Sequence, residues 1–234
     1  MPDPTLRLTG VRKQYHGLRP LRVQSLSIDA GERVAVSGFD AGAAEVLVNL
    51  ITGASVPDEG IVEVCGRATH AIADGDEWLS WLDRFGIVSP RAVLLDAATL
   101  GQNLAMPLTL EIDPVPPAIA AQVGTLAQDV GIERTHLERP VAALDATVRA
   151  RAHLARAIAL GPSLLIMEHP TIGFPPGHAR PFGEIVARAA ASRSLATLVI
   201  SEDAEFSSAA AERRLELKPA SGELRPAGRR WLPW

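Results

Sequence analysis

The sequence predicts an α/β fold with a mostly parallel core sheet, and three observations support this prediction. Four short apolar runs have the length and composition of buried parallel strands, at residues 33–37, 85–89, 163–167 and 197–201. Segments with helical spacing of apolar residues lie between these runs. The first run continues through small residues directly into such a helical segment. We therefore expect a sheet with helices on both faces.

Antiparallel strands are predicted beside this core. Residues 6–15, 21–29 and 60–64 are short, partly alternating in polarity and bounded by glycine or proline. Residues 213–226 have the pattern of a hairpin that turns at Ser221 and Gly222. The chain thus combines a parallel core with an N-terminal antiparallel subdomain.

A mainly helical insertion is predicted between two strands of the core. It begins near residue 91 and contains a helical spacing of apolar residues at Ile119, Val123, Leu126 and Val130. We expect one domain over residues 1–234, in which 91–148 form a helical subdomain and 1–90 with 149–234 form the rest. A further helix follows, capped by Asp145 or Thr147 and ending near Leu160. Its three arginines are predicted to form a solvated or interface face: Arg149, Arg151 and Arg156.

The composition of the chain argues against several classes of protein. The chain has 234 residues, 47% of them hydrophobic, a formal net charge of −4 and a single cysteine, Cys65. This charge gives no electrostatic basis for binding nucleic acid, and one cysteine excludes an internal disulfide framework. Because no apolar run is long enough to span a bilayer, we expect a cytoplasmic protein without direct membrane insertion.

Residues 31–53 have the outline of a phosphate-binding loop without its chemistry. We expect a strand, a loop at 38–43 and a helix from Glu45. A working loop follows the pattern G-x-x-x-x-G-K-[ST], in which the lysine neutralises phosphate charge and the hydroxyl binds Mg²⁺. Here Gly38 is present, but Ala43, Ala44 and Glu45 stand in place of the second glycine, the lysine and the hydroxyl.

The order of segments resembles the nucleotide-binding subunit of ABC transporters over nearly the whole chain. The phrases that carry the resemblance are LSIDAGERVAVSG, NLITGASVPDEGIVEVCGR, ATLGQNLAMPL and LARAIALGPSLLIMEHPT. Some of this wording is most similar to cassettes of lipid, lipoprotein or macrolide export systems. The resemblance implies a P-loop ATPase fold, a membrane permease partner and a second cassette, identical or different. It also implies a location at the inner membrane, reached through those partners.

The same resemblance assigns the catalytic positions, and most carry other residues here. Pro90 stands for the glutamine of the glutamine loop, Glu168 and His169 for the Walker B acids, and Glu202 for the switch histidine. Phe174 and Pro175 replace the D-loop Leu-Asp. The signature motif is replaced by Leu144, Asp145, Ala146, Thr147 and Val148. A vestigial nucleotide site remains at Tyr15, which matches the adenine-stacking aromatic, and at Gly38, Asp40, Gly42 and Ala43.

These replacements predict a protein without ATPase chemistry. Phosphoryl transfer depends on electrostatic positioning, so loss of the lysine at Ala44 alone should stop hydrolysis. Asp40, Glu45 and Glu202 should also make the pocket repel anions. Since the Walker and signature halves are both altered, we expect a structural or docking subunit with no bound cofactor.

Two alternatives remain open. One is a working or partly working ATP-binding subunit that powers export of a lipid or other hydrophobic substrate, with Mg-ATP as cofactor. The other is a new acidic site for a metal ion or for a basic residue of a partner, with candidate ligands at Asp40, Glu45, Glu168, His169 and Glu202.

Three smaller features of the sequence also lead to predictions. Trp78 and Trp81 lie on one face of a predicted short helix, where they either pack in the core or contact a membrane subunit. Cys65 is predicted to lie in the core. The tail tryptophans Trp231 and Trp234 are the preferred interface candidates.

Overall fold

The computed structural model of the chain describes residues 3–228. The interface predicted at Trp231 and Trp234 lies outside these residues.

The N-terminal part contains an antiparallel sheet, as predicted. Its strands are β1 (Leu6–Lys13), β2 (Leu21–Ile28), β4 (Glu59–Val64) and β5 (Arg67–Ala68), in the order β2-β1-β4-β5. Leu6 and Leu8 alternate with exposed residues along β1 and are buried, and Val11 is buried after an irregularity that shifts the register against β4 between Thr9 and Arg12.

A six-stranded sheet forms the centre of the fold. It contains β3 (Arg33–Ser37), β6 (Phe85–Val88), β7 (Leu164–Glu168), β8 (Ala196–Ile200), β9 (Arg213–Lys218) and β10 (Glu223–Pro226). The strand order is β10-β9-β3-β8-β7-β6, and all neighbours are parallel except the β9–β10 hairpin. The four predicted core strands are confirmed to within one residue at each end.

Seven α-helices surround the sheets in the part of the chain that the structure describes. They are α1 (Ala41–Ile51), α2 (Gly75–Leu82), α3 (Leu100–Ala105), α4 (Pro117–Asp129), α5 (Ala146–Ile158), α6 (Ala179–Ala191) and α7 (Ala204–Ala210). None of the helices within residues 3–228 is long and apolar enough to cross a membrane. The predicted helical spacing falls on α4, where Val123 and Leu126 are buried. The subdomain boundaries at residues 91 and 148 stay a prediction.

The central sheet is buried on both faces. Along β3, Val34 and Val36 join a core with α1 and the antiparallel sheet, whereas Ala35 between them joins a core with α3 to α7. The apolar side chains of strand β7 alternate between the same two cores, and all five residues of the strand are buried. The α/β prediction is therefore confirmed, since a parallel sheet needs cover on both sides.

Four of the seven α-helices within residues 3–228 begin with an aspartate cap. Asp40, Asp74, Asp145 and Asp203 cap α1, α2, α5 and α7, and each carboxylate accepts a hydrogen bond from a backbone N–H in the first turn. A short polar acceptor at this position satisfies a donor that has no partner within the helix.

The arginines of α5 are used inside the chain. Arg149 pairs with Asp96 at 2.9 Å, Arg151 donates to the carbonyl of Gly131 at 2.7 Å, and Arg156 donates to the carbonyl of Val93 at 2.7 Å. These long side chains are half-buried and bind the segments that pack on the helix, so they do not form a simply solvated face. Their role as an interface stays a prediction.

Trp81 is 2% exposed and belongs to the core beneath α2. The Trp78 indole donates to the carbonyl of Thr52 at 3.0 Å. The structure therefore supports packing in the core for this pair.

Cys65 is exposed and has a φ of 49°. It lies in the turn that follows β4, so its prediction as a core residue was wrong.

Candidate functional site

The carboxyl ends of strands β3, β7 and β8 meet at one edge of the central sheet. They deliver Gly38, Glu168 and Glu202 to a common region, which α1 enters from the end of β3. Parallel α/β sheets bind ligands at this edge. The predicted site residues are brought together here, except those of the signature positions, which lie at the start of α5.

The connection between β3 and α1 is shorter than the sequence predicted. Helix α1 begins at Ala41, so only Gly38, Phe39 and Asp40 separate it from the strand. Phe39 is 2% exposed and is anchored in the core. Asp40 Oδ1 accepts the N–H of Ala43 at 2.8 Å and caps the helix. The predicted loop at 38–43 is therefore wrong, because this cap and the following small residues start the helix early.

At position 38, the backbone conformation and the neighbouring strand leave room only for glycine. Its φ is +87°, and a Cβ there would lie 2.8 Å from the carbonyl oxygen of Leu217. The glycine expected from the resemblance is thus required here by contact with the neighbouring strand.

Glu202 binds the backbone of this short connection. Its Oε1 accepts the N–H of Gly38 at 2.6 Å and the N–H of Phe39 at 3.2 Å. Backbone N–H groups at such a place can bind anions, and here a carboxylate of the chain itself occupies them.

Ala44 and Glu45 point in different directions near the start of α1. Ala44 is fully buried in the core with the antiparallel sheet. The Glu45 side chain is 48% exposed, and its Oε2 lies 3.6 Å from Nη1 of Arg91. The position that the resemblance assigns to a phosphate-binding lysine therefore faces the core in this protein.

Arg91 is the charged residue that the sequence interpretation missed. Its Nη1 and Nη2 donate to Oε1 and Oε2 of Glu168 at 2.8 and 2.7 Å. Ser89 Oγ also donates to Glu168 Oε2, at 2.8 Å. A signal was available, because Arg91 follows the end of β6 and parallel strands place such residues at the same edge. The predicted repulsion of anions counted only carboxylates and omitted this cation.

The predicted metal candidates are not arranged as a ligand set. Within residues 3–228, no three side chains of the metal-binding types His, Cys, Asp and Glu lie close enough to hold an ion. Glu45 and Glu168 share Arg91, whereas Glu202 binds the loop. The acidic pocket thus holds a basic side chain, and that side chain comes from the chain itself.

His169 follows Glu168 with a left-handed φ of 43°. Its N–H donates to the carbonyl of Ile200 at 2.8 Å. It lines a cavity of about 240 Å³ with Ser89, Pro90, Arg149, His153 and Glu168. Burial lowers the pKa of His153, and the positive charges of Arg156 and Arg149 lower it further. Proline at 90 offers this cavity neither an N–H nor a polar side chain.

The Tyr15 ring packs on the start of α1. A Cβ added at Gly42 would lie 3.3 Å from its Cε2, so the ring rests directly on that turn. With Gly38, Asp40 and Ala43 it lines a cavity of about 330 Å³. Burial, and then the charge of Asp40, raise the Tyr15 pKa.

The signature positions form the capped start of α5. Asp145 Oδ1 accepts the N–H groups of Thr147 and Val148 at 2.8 and 3.0 Å and the Thr147 hydroxyl at 2.6 Å. The Thr147 hydroxyl and the backbone N–H groups stabilise the carboxylate and lower its pKa. Leu144 and Val148 are buried beside it. At the position assigned to the D-loop, Phe174 packs on Phe182 with ring centroids 5.4 Å apart.

A family model described as ABC transporter matches residues 21–172. The chain belongs to the ABC transporter family. The phosphonates import ATP-binding protein PhnC of Anaeromyxobacter dehalogenans is 32% identical over 83% of this chain and 40% of its own length. The ATP-binding protein YxdL of Bacillus subtilis is 30% identical over 71% of this chain and 65% of its own length. The chain thus spans less than two thirds of either relative.

The lipoprotein-releasing protein LolD of Psychrobacter arcticus is 25% identical and aligns over 91% of this chain and 95% of its own length. Among solved structures, the ATP-binding cassette MJ0796, a dimer bound to ADP and phosphate, matches with a TM-score of 0.77 at 21% identity. It covers 97% of this chain and 100% of that one. CbiO1 of Clostridium perfringens matches with a TM-score of 0.79 at 18% identity over 95% of this chain and 87% of that one. These structures confirm the cassette fold that the resemblance implied.

Proposed function

We propose that this ABC cassette is a pseudo-ATPase that serves as a structural or docking subunit of a membrane complex. One observation carries the proposal: the groups that would receive a nucleotide phosphate and its metal ion are already bound by side chains of the chain itself.

On the phosphate side, three backbone donors already bind carboxylates of the chain. Gly38 and Phe39 donate to Glu202, and Ala43 donates to Asp40. With Ala44 buried, α1 brings no cation to this place, and Glu45 adds a carboxylate to the first helical turns. A phosphate would have to displace two carboxylates that are tethered nearby and carry its own sign of charge.

On the metal side, Arg91 lies between Glu45 and Glu168. Mg²⁺ binds oxygen ligands in near-octahedral geometry and keeps several waters. A guanidinium that forms two hydrogen bonds to Glu168 occupies the acceptors that such an ion would need. The residues present therefore do not fit Mg-ATP.

The opposite half of a composite ATP site is altered as well. At the signature position Asp145 already holds the first N–H groups of α5. The family resemblance makes each ATP site from the Walker half of one cassette and the signature half of another. A subunit in which both halves are altered would impair both sites of any dimer, which favours a structural role over asymmetric ATP use.

The partners follow from family membership. A membrane permease subunit, a second cassette, or both would hold this chain at the cytoplasmic side of the inner membrane. CbiO1 of Clostridium perfringens is described as part of the ABC transporter complex CbiONQ. The formal net charge of −4 gives no reason to propose a nucleic acid.

The test is a calorimetric titration of the purified full chain with Mg-ATP, accompanied by a phosphate-release assay. We expect neither binding heat at micromolar concentrations nor release above background. Micromolar binding, with turnover that the substitution Glu168→Gln abolishes, would instead establish the alternative of a working ATP-binding subunit. A thermal melt of the same sample shows that it is folded.

A further inference from the structure

A cavity of about 620 Å³ lies between strands β3 and β9 and helix α7. Strand β9 differs from the inner strands of the central sheet, because only one of its faces is buried. Leu215 and Leu217 on that face belong to the core with α1, whereas Arg214 and Glu216 are exposed and line the cavity. Parallel sheets are ordinarily covered on both faces, so the cavity marks a place that lacks its cover within residues 3–228.

The chain reaches this cavity at the last of the described residues. After β10, the N–H of Ala227 donates to the carbonyl of Arg214 at 2.9 Å, and Ala227 and Gly228 both line the cavity. The sequence continues with Arg-Arg-Trp-Leu-Pro-Trp at residues 229–234, which we call the tail. A segment of this length reaches about 20 Å when extended, enough to cross a cavity of this volume.

The lining of the cavity matches the chemistry of the tail. It carries two carboxylates, Glu202 and Glu216, against one guanidinium, Arg214, which suits a segment that begins with two arginines. The Glu216 side chain is 48% exposed and pairs with its neighbour Lys218, so it remains open to a second cation. The apolar part of the lining includes three residues: Ala35, Ala204 and Leu215. Since a tryptophan buries about 150–250 Å², the two tryptophans of the tail can cover this surface.

We propose that the cavity is the binding site of the tail of the same chain, with the two tryptophans against its apolar walls and the two arginines next to its carboxylates. A tethered segment has an effective concentration of about millimolar, so it competes strongly with other proteins for the cavity. Trp231 and Trp234 are then held by the chain itself and are not the surface that a partner subunit contacts. The inference goes beyond the proposed function, because it involves neither a nucleotide nor a membrane partner, and its test is independent of both.

The experiment measures the rate at which a maleimide labels a cysteine in the cavity of the full chain. Cys65→Ser removes the one native cysteine, and Ala204→Cys then places a thiol on the cavity wall. We expect the tail to protect this thiol, so that Trp231→Ser combined with Trp234→Ser raises the labelling rate by about tenfold or more. Glu216→Lys should raise the rate by a smaller factor, because it places a like charge beside the arginines of the tail.

The matched control is Glu184→Cys on the exposed face of α6, whose labelling rate should be the same with and without the tail tryptophans. Arg214→Cys, on β9, repeats the measurement if a thermal melt shows that Ala204→Cys does not fold. Equal labelling of the cavity thiol with and without the tryptophans would overturn the proposal. So would protection that disappears on dilution, because the cavity would then hold the tail of a second copy.

Discussion

Arg91 and Glu168 form a two-pronged ion pair in which both guanidinium nitrogens and both carboxylate oxygens take part, at 2.8 and 2.7 Å. Glu168 ends the buried strand β7, whereas Arg91 follows the end of the neighbouring strand β6. The pair therefore joins the central sheet to the start of the segment that leads into helix α3. Its acidic partner is almost completely buried, with a side chain that is 3% exposed.

The first prediction concerns the energy of this pair. Arg91→Ala leaves a buried carboxylate without its cation, a change that costs about 3–5 kcal/mol in a fully buried pair. Because the Arg91 side chain is 43% exposed, we expect a smaller loss, about 2–3 kcal/mol, in the free energy of unfolding measured with urea. Arg149→Ala breaks a surface pair and should cost less than about 1 kcal/mol. Equal losses of stability in the two variants would show that the Arg91–Glu168 pair contributes no more than a surface ion pair.

The second prediction concerns Ala44, where the family resemblance expects lysine. Because Ala44 is fully buried, Ala44→Lys forces a long charged side chain into the core. Overpacking and burial of charge should lower the free energy of unfolding by about 3 kcal/mol or more. We also expect no gain in ATP binding in a calorimetric titration. The control Ala41→Lys places the same charge on an exposed position of the same turn and should cost less than about 1 kcal/mol.

Sequence patterns located the strands of the central sheet but not the start of helix α1. The strands β3, β7 and β8 were located to within one residue, because runs such as residues 164–167 are buried on both faces and so are continuously apolar. The start of α1 was misplaced by four residues. Alignment with a family motif assumed a loop, whereas the Asp40 cap and the alanines after it favour a helix.

Arg91 was missed for a different physical reason. Its partner Glu168 is 77 residues away in the chain, so no local pattern links the two residues, and only the parallel pairing of β6 with β7 places both at the same edge of the sheet. The acids of the site were predicted from their alignment with family motifs, but Arg91 matches none of these motifs. Cys65 was misplaced because the apolar run of β4 ends one residue before it, at a turn.

The third prediction concerns Asp145 at the start of α5. Asp145→Ala removes the acceptor for two backbone N–H groups and should cost about 1 kcal/mol at neutral pH. Asp145→Asn keeps an acceptor and should cost less. The pKa of this carboxyl is lowered in the folded protein, chiefly by the Thr147 hydroxyl.

The sign of the pH dependence at Asp145 follows from this lowered pKa. Its stabilising contribution is complete above the ordinary aspartate pKa of about 4 and is lost as the pH falls through the lower value of the folded state. Denaturation of the intact protein and of Asp145→Ala should therefore converge at acid pH. A difference that stays constant down to about pH 2 would show that charge plays no part in the cap.

The fourth prediction concerns His153, whose pKa is lowered by burial and then by Arg156 and Arg149. As the pH falls below about 6.5, the unfolded chain takes up a proton at this histidine and the folded chain does not. The stability should therefore fall with pH between the unfolded and folded pKa values, with a slope below about 1.4 kcal/mol per pH unit. His153→Gln should reduce this slope in thermal melts between pH 5 and 7. His16→Gln, on an exposed loop residue, is the control and should leave the slope unchanged.

The fifth prediction concerns Glu202, the internal anion on the loop. Glu202→Ala frees the N–H groups of Gly38 and Phe39 and should cost about 1 kcal/mol, since the carboxylate is exposed. Freed donors at the end of a parallel strand bind anions, so inorganic phosphate should raise the melting temperature of this variant more than that of the intact protein. Glu184→Gln, on the exposed face of α6, is the control and should respond to phosphate as the intact protein does. An identical phosphate response in Glu202→Ala and the intact protein would show that Glu202 does not exclude anions from the loop.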